Sequence, residues 1–213
     1  MNDFNSDFPL YWSPLLPKLP VISGWTSRKI GLESMGQKLG VSGPIFRMNQ
    51  VHGDTIVEVS PESPRVIDGA DALITRHKGL ALVVKTADCV PLMIWNDTGW
   101  GAVIHTGRRG TQLEITGKVL RLLEDKTDKQ GLYHIWIGPH ICAKCYEIDP
   151  NTHETFDMLT ANQVQIEAVI PESRRRVTVF DGCTAEQTDR FFSYRKESDQ
   201  AGRMFGLLEI YRR

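Results

Sequence analysis

The chain has 213 residues, enough for one large domain with its own core, and its 41% hydrophobic and 24% charged content is that of an ordinary globular protein. With 25 basic and 26 acidic residues the formal net charge is -1, which removes the electrostatic case for nucleic acid or an anionic membrane as partner. Residues 1–20 show no basic start followed by an apolar run, and no apolar stretch is long enough to cross a bilayer, so a cytoplasmic location is expected.

In chain order, residues 1–20 read as an irregular arm and residues 21–213 as a single domain. Ile22 to Arg28 predicts a short strand, and Gly31 to Gly43 a glycine-punctuated loop or weak helix. Ile56 to Val59 is a strand broken by Pro61 and Pro64, so 60–66 is a turn. Ala72–Ile74, Leu80–Lys85, Pro91–Trp95 and Trp100–His105 are β-prone runs, with a tight turn at Asn96-Asp97-Thr98-Gly99. Ile115, Val119, Leu122 and Leu123 then change the period to that of an amphipathic helix over Gln112–Lys126. His134–Ile137 is a further strand. A helix within Pro150–Ile170 buries Phe156, Leu159, Val164 and Ala168, and Val177–Phe180 is a strand. Phe191–Tyr194 and Phe205–Tyr211 form a closing pair around Gly202. Strands outnumber helices and do not alternate with them, which predicts an α+β single-domain layered sandwich of mixed β-sheets with flanking helices.

The four cysteines, at 89, 142, 145 and 183, point to thiol or metal chemistry in a chain that needs no disulfide staples. His52 precedes Gly53, Cys89 sits where a β-run meets a polar break, and His105 ends the run Ala102-Val103-Ile104. Strand ends are where rigid scaffolds place site residues. Two imidazoles and a thiolate suit zinc and leave its fourth tetrahedral position for water, whose pKa falls to about 7 there. On spacing alone the three are more often a buried thiol and two hydrogen-bonded or surface histidines than a metal site.

Several ordered motifs bear on that choice. Gln50-Val51-His52-Gly53, Asp71-Ala72-Leu73-Ile74-Thr75, Thr86-Ala87-Asp88-Cys89-Val90-Pro91 and His105-Thr106-Gly107-Arg108-Arg109-Gly110 are followed by Ile137-Gly138-Pro139 and Cys145-Tyr146-Glu147. Cys183-Thr184, Phe191-Phe192-Ser193-Tyr194-Arg195 and Gly202-Arg203-Met204 complete the set. From about Trp25 to the C-terminus the chain thereby resembles the laccase-domain family, first described as multicopper polyphenol oxidase-like and now assigned as purine nucleoside phosphorylases.

The resemblance implies a zinc centre at His52, Cys89 and His105. It also implies phosphorolysis of adenosine, inosine, guanosine and methylthioadenosine, with deamination of adenosine. The partners are then a purine nucleoside and phosphate, and the oligomeric state is open. Asp88, beside a ligand, is the candidate acid/base, or equally a turn residue or partner of the ligands. Arg109, Arg28 and Lys85 are candidates for phosphate and the developing sugar cation, or equally surface ion-pair residues, and Gln50 is a candidate substrate ligand.

The chain departs from the family pattern at Arg108, where tryptophan is usual, at His140 and Cys142, and in a shortened 29–49 segment. These departures keep open a divergent paralogue that works as a binding partner. Copper-dependent phenol oxidation is disfavoured because several coppers need many histidines and the chain has six. Cys142-Ala143-Lys144-Cys145 is family drift, with a second metal held by His140, Cys142 and Cys145 as the lesser reading. Cys183 is expected to be a buried thiol, His77, His134 and His153 surface residues, and Phe192 and Tyr194 either a purine platform or core.

Overall fold

A computed structural model describes residues 10–11 and 20–210. In chain order the strands and helices are β1 (Leu10–Tyr11), β2 (Val21–Thr26), α1 (Leu32–Leu39), β3 (Ile45–Asn49), β4 (Ile56–Glu58), β5 (Val66–Asp68) and β6 (Ala72–Thr75). They continue as β7 (Ala81–Thr86), β8 (Val90–Asn96), β9 (Trp100–Thr106), α2 (Arg108–Gln112), α3 (Ile115–Lys126) and β10 (Tyr133–Ile137). The last third holds β11 (Glu147–Asp149), β12 (Glu154–Thr155), α4 (Met158–Val169), β13 (Arg175–Val179), α5 (Tyr194–Glu197) and β14 (Met204–Ile210).

Two six-stranded sheets, ordered β1-β2-β14-β7-β3-β5 and β13-β10-β8-β9-β6-β4, carry the fold. Both are mixed: β3 runs parallel to β7, and β10 parallel to β13, within otherwise largely antiparallel ladders. Period-two alternation on each strand assigns the layers. Leu82 and Val84 of β7 face Met93, Trp95 and Val103 of the other sheet, in a core closed by Trp25, Phe46 and Phe191. Ala81 and Val83 point the other way, onto Met35 of α1. Leu92, Ile94, Ile104 and Ile135 point away from the sheet interface, onto Ile115, Leu120 and Leu123 of α3 and Ile166 of α4. The stack is thus helix, sheet, sheet, helices, the layered α+β sandwich that the strand-rich pattern predicts.

Several expectations are corrected. The helix expected over Gln112–Lys126 is α3, which starts later, at Ile115, because Glu114 lies in the left-handed region at φ 59 and separates it from α2, which ends at Gln112. The buried face of α4 is Met158, Asn162 and Ile166, while Val164 is 57% exposed. The reason is Asn162: its amide donates to Thr106 Oγ1 at 2.9 Å, Thr111 Oγ1 at 3.1 Å and the Met158 carbonyl at 2.7 Å, and its oxygen accepts from Thr116 Oγ1 at 2.6 Å. A satisfied polar group thus occupies a core position that hydrophobic periodicity skips. Residues 191–193 form no strand; β14 pairs with β2 and β7 instead. Of the two readings of Gly31–Gly43, the helix holds: the 29–49 segment contains α1, closed by Gly40 at φ 71, and β3. Within the arm, β1 pairs with β2, and residues 1–9, 12–19 and 211–213 lie outside the described ones.

Candidate metal centre

Strand register builds the site. In the β8–β9 hairpin Val90 faces Thr106 and Pro91 faces His105, so Cys89, just before β8, meets the chain leaving β9. β6 lies on the other side of β9, and the His105 amide donates to the Asp71 carbonyl at 2.8 Å. The loop after β3 then brings His52 over the same end. One ligating atom from each of His52, Cys89 and His105 lies within 4.8 Å of the others, and the two imidazoles stand edge-on at 4.8 Å between centroids.

Asp71 organises this arrangement, and sequence reasoning placed it in a motif without giving it a role. Its carboxylate is fully buried. It accepts from the amides of His52 (3.0 Å), Val51 (3.2 Å) and Gly53 (2.7 Å), and Oδ1 also lies 2.8 Å from His105 Nδ1. An acceptor-only carboxylate fixes the Nδ1–H tautomer of His105 and frees Nε2 for the centre. The same bonds hold His52 in the left-handed region, at φ 59, where a residue with a Cβ is strained. Asp88 is strained likewise, at φ 84, in the turn that carries the chain from β7 to β8.

Charge follows from these contacts. Burial opposes ionisation of Asp71, but the bonds from His105 and the amides of Gly53 and Val51 hold it below the usual carboxylate range. Burial likewise opposes the Cys89 thiolate, yet His105 and His52 outweigh it and bring the thiol down to about 6. His105, which burial alone would keep neutral, is raised to about 9 by Asp71 and Cys89. In the metal-free protein at pH 7, therefore, alkylation of Cys89 by iodoacetamide is expected to proceed as for a thiolate, titrating near 6. His105→Gln should move that titration upward by about one unit or more, and an ordinary thiol titration in the parent chain would contradict the pairing. A metal at this centre displaces the His105 proton, so its apparent affinity should climb roughly tenfold per pH unit until His105 titrates near 9.

Glycine keeps the centre open. A Cβ on Gly107 would lie 2.8 Å from His52 Cδ2 and 3.0 Å from Cys89 Sγ, tighter than real contacts allow. Gly107→Ala is expected to lower metal affinity by about tenfold or more while leaving the circular dichroism spectrum unchanged. Isothermal titration with zinc checks it.

The centre lies in the wall of an open cavity of about 940 Å³, lined also by Gln50, Lys85, Asp88, Arg108, Arg109 and Tyr146 and by Tyr194, Arg195, Ser198, Asp199 and Arg203. Lys85 and Arg109, two of the cations named from the sequence, thus line the cavity. Arg28 does not line the cavity: its guanidinium is bonded to the Thr188 carbonyl, pairs with Glu197 at 2.8 Å and stacks over Phe192 at 4.6 Å. Phe192 packs against the inter-sheet core, and of that aromatic pair only Tyr194 faces the cavity. Gln50 spends its amide on the Lys85 main chain, donating to the carbonyl at 2.8 Å and accepting from the N–H at 3.0 Å. Both Asp88 oxygens are engaged, by Thr184 Oγ1 at 2.6 Å and the Arg195 amide at 2.7 Å. Tyr146, Arg195 and Arg203 are cavity residues that sequence reasoning passed over, although each stands within a quoted motif.

The family model described as "Multi-copper polyphenol oxidoreductase laccase" matches residues 31–211. The chain belongs to this family. All three centre residues fall inside the matched stretch, and Arg28 falls outside it. A Streptomyces coelicolor protein named purine nucleoside phosphorylase is 31% identical over 83% of this chain and 79% of its own. One of the same name from Deinococcus radiodurans is 28% identical over 82% and 74%. The crystal structure of YlmD from Geobacillus stearothermophilus superposes with a TM-score of 0.78 at 22% identity, covering 94% of each chain. That of Bacillus licheniformis YfiH gives 0.77 at 20% identity, covering 89% and 92%. Laccase-family membership thus comes with the family's sandwich fold, and among the described residues no helix is long and apolar enough to cross a membrane.

Proposed function

We propose that this chain is a zinc-dependent purine nucleoside phosphorylase acting on adenosine, inosine, guanosine and methylthioadenosine, with adenosine deaminase activity. One observation carries the reading: the His52–Cys89–His105 centre opens into a cavity of about 940 Å³ whose rim is cationic. That volume suits a nucleoside with phosphate. The names of the relatives from Streptomyces and Deinococcus support the same substrate class.

The donor set fits zinc: two imidazoles, a thiol already inclined to ionise, a carboxylate that turns His105 Nε2 to the centre, and a glycine that keeps the space clear. When bound, the ion supplies a localised positive charge that polarises substrate or water. Copper is the family's older association. Among the described residues only His52 and His105 of the six histidines meet here, which favours one ion over a cluster.

Phosphorolysis breaks the C1′–N9 bond, joins C1′ to a phosphate oxygen and delivers a proton to the departing purine. Arg109, Lys85, Arg108 and Arg203 line the cavity that holds the centre. They are assigned to phosphate, which arginine's planar fork grips at two oxygens. Burial, and then the Cys89 charge, hold Tyr146 above the usual phenol range, so its hydroxyl stays protonated at neutral pH and is assigned as proton donor. Tyr194, 51% exposed on the rim, offers a face for the purine. Asp88, with both oxygens occupied, takes a positioning role, holding the Arg195 segment against the Cys89 turn. Gln50 likewise ties the His52 loop to β7.

The test is incubation of the zinc-loaded protein with adenosine, with and without phosphate, followed by chromatography. Adenine formed only with phosphate, plus inosine in either buffer, is expected. Zinc bound without turnover of any of the four nucleosides would replace this reading by that of a nucleoside-inactive binding protein.

A further inference from the structure

The structure gathers a second set of ligands on the helical side of the molecule, from a motif that the proposed reaction does not use. The sulfur atoms of Cys142, Cys145 and Cys183 lie within 4.8 Å of one another, and all three are free thiols. Tetrahedral zinc at about 2.3 Å from each sulfur needs them roughly 3.8 Å apart. A disulfide would use two of the three and strand the third.

Main-chain contacts set these positions, so the cluster does not depend on the chance rotamers of three surface side chains. A turn of 3-10 helix over Ala143–Cys145 folds Cys145 back beside Cys142, its amide donating to the Cys142 carbonyl at 3.1 Å. Cys183 comes from 41 residues further on and is reached through Gly182 at φ 151, where a Cβ would also meet Gln187 at 2.8 Å and Phe180 at 2.9 Å. The two segments are joined by a parallel bridge between His140 and Cys183 and by the Thr184 amide donating to the His140 carbonyl at 3.0 Å. The Cys142 amide then donates to Cys183 Sγ at 3.2 Å, the kind of N–H contact that satisfies a sulfur carrying negative charge. His140, the third ligand in the lesser of the two sequence readings, instead donates its Nδ1–H to the Gly138 carbonyl at 2.8 Å, and Cys183 stands in its place. Cys142 and Cys183 border a cavity of about 530 Å³, lined also by His140, Lys144 and Glu186, which gives solvent access to a fourth position.

We propose that Cys142, Cys145 and Cys183 form a second metal site, a three-thiolate site for a single thiophilic cation, zinc, with its fourth position open to solvent. Soft sulfur ligands favour zinc over the hard cations magnesium and calcium. Each thiol that ligates gives up its proton to solvent, and no redox step is involved. The site's place in the fold gives it a structural task. Cys145 precedes Tyr146, which lines the larger cavity, and Cys183 precedes Thr184, whose hydroxyl holds the cavity residue Asp88, so the ion cross-links two segments that position that cavity's lining.

Metal analysis of the zinc-loaded, desalted full chain tests this independently of any reaction. Two equivalents of zinc are expected in the parent chain, one in Cys89→Ala, one in Cys183→Ser, and none when both substitutions are combined. The equivalent retained by Cys183→Ser reports that the variant has folded, and Cys142→Ser should behave alike. With cobalt in place of zinc, Cys183→Ser should lose the larger part of the thiolate-to-cobalt absorption in the near ultraviolet, since three of the four thiolates lie in this cluster. Zinc should also slow alkylation of Cys142 and Cys145 at least about tenfold. A single equivalent that Cys89→Ala abolishes, or a disulfide within the cluster in freshly reduced and desalted protein, would overturn the proposal.

Discussion

Cys89→Ala is expected to abolish zinc binding at the first centre and to lower nucleoside phosphorolysis by about 10³-fold or more, the scale of several kcal/mol of charge stabilisation. Two imidazoles alone make a poor zinc site, and Cys89 supplies its only anionic ligand. The loss should be one of function and not of fold. Cys89 is only partly buried and sits in the turn before β8, outside the main hydrophobic clusters. Far-ultraviolet circular dichroism and the unfolding midpoint of the metal-free protein should therefore stay close to the parent's. His105→Gln should be as inactive but less stable, because Asp71 would lose its cationic partner in a buried setting. Activity surviving in metal-depleted Cys89→Ala would separate the centre from the reaction.

The sandwich was legible wherever one physical signal dominated. β7, β8 and β9 are β-branched or aromatic runs bounded by turn residues, and each falls within a residue or so of its expected limits. What escaped notice were elements whose identity is tertiary. β5, β11 and β12 are two or three residues long and exist only through their partners. Asn162 is core because three threonines from α2, α3 and β9 meet its amide, a coincidence that no local window contains. The site follows the same division. Its three candidate ligands could be named from ordered motifs. The reason that Asp71 matters is spatial: one carboxylate receives the His52 loop and His105 at once, from positions 19 and 34 residues away. Arg28 shows the reverse, a motif-adjacent cation that Glu197 and Thr188 draw away from the cavity.

Asp71→Asn is the change expected to be most costly for stability and metal together. The native carboxylate offers acceptors only, and three amides and the His105 Nδ1–H are aimed at it. A carboxamide of the same shape presents one oxygen and one NH₂. Whichever way it is turned, donors face donors in a fully buried position. If the oxygen serves His105, the Val51 and Gly53 amides lose their acceptor; if it serves the loop, His105 is released from its tautomer. Each unsatisfied buried group costs about 1–3 kcal/mol, so a loss of roughly 2–4 kcal/mol in denaturant titration is expected. Metal affinity should fall about 10- to 100-fold through misorientation of His105 and relaxation of His52 from its strained backbone. The two effects have distinct readouts. Saturating zinc should recover much of the stability by mass action without restoring the parent's dissociation constant. Parent-like zinc affinity in Asp71→Asn would mean that the ligands are held by the backbone alone, and that the carboxylate at the meeting point of β6 and β9 serves the fold only.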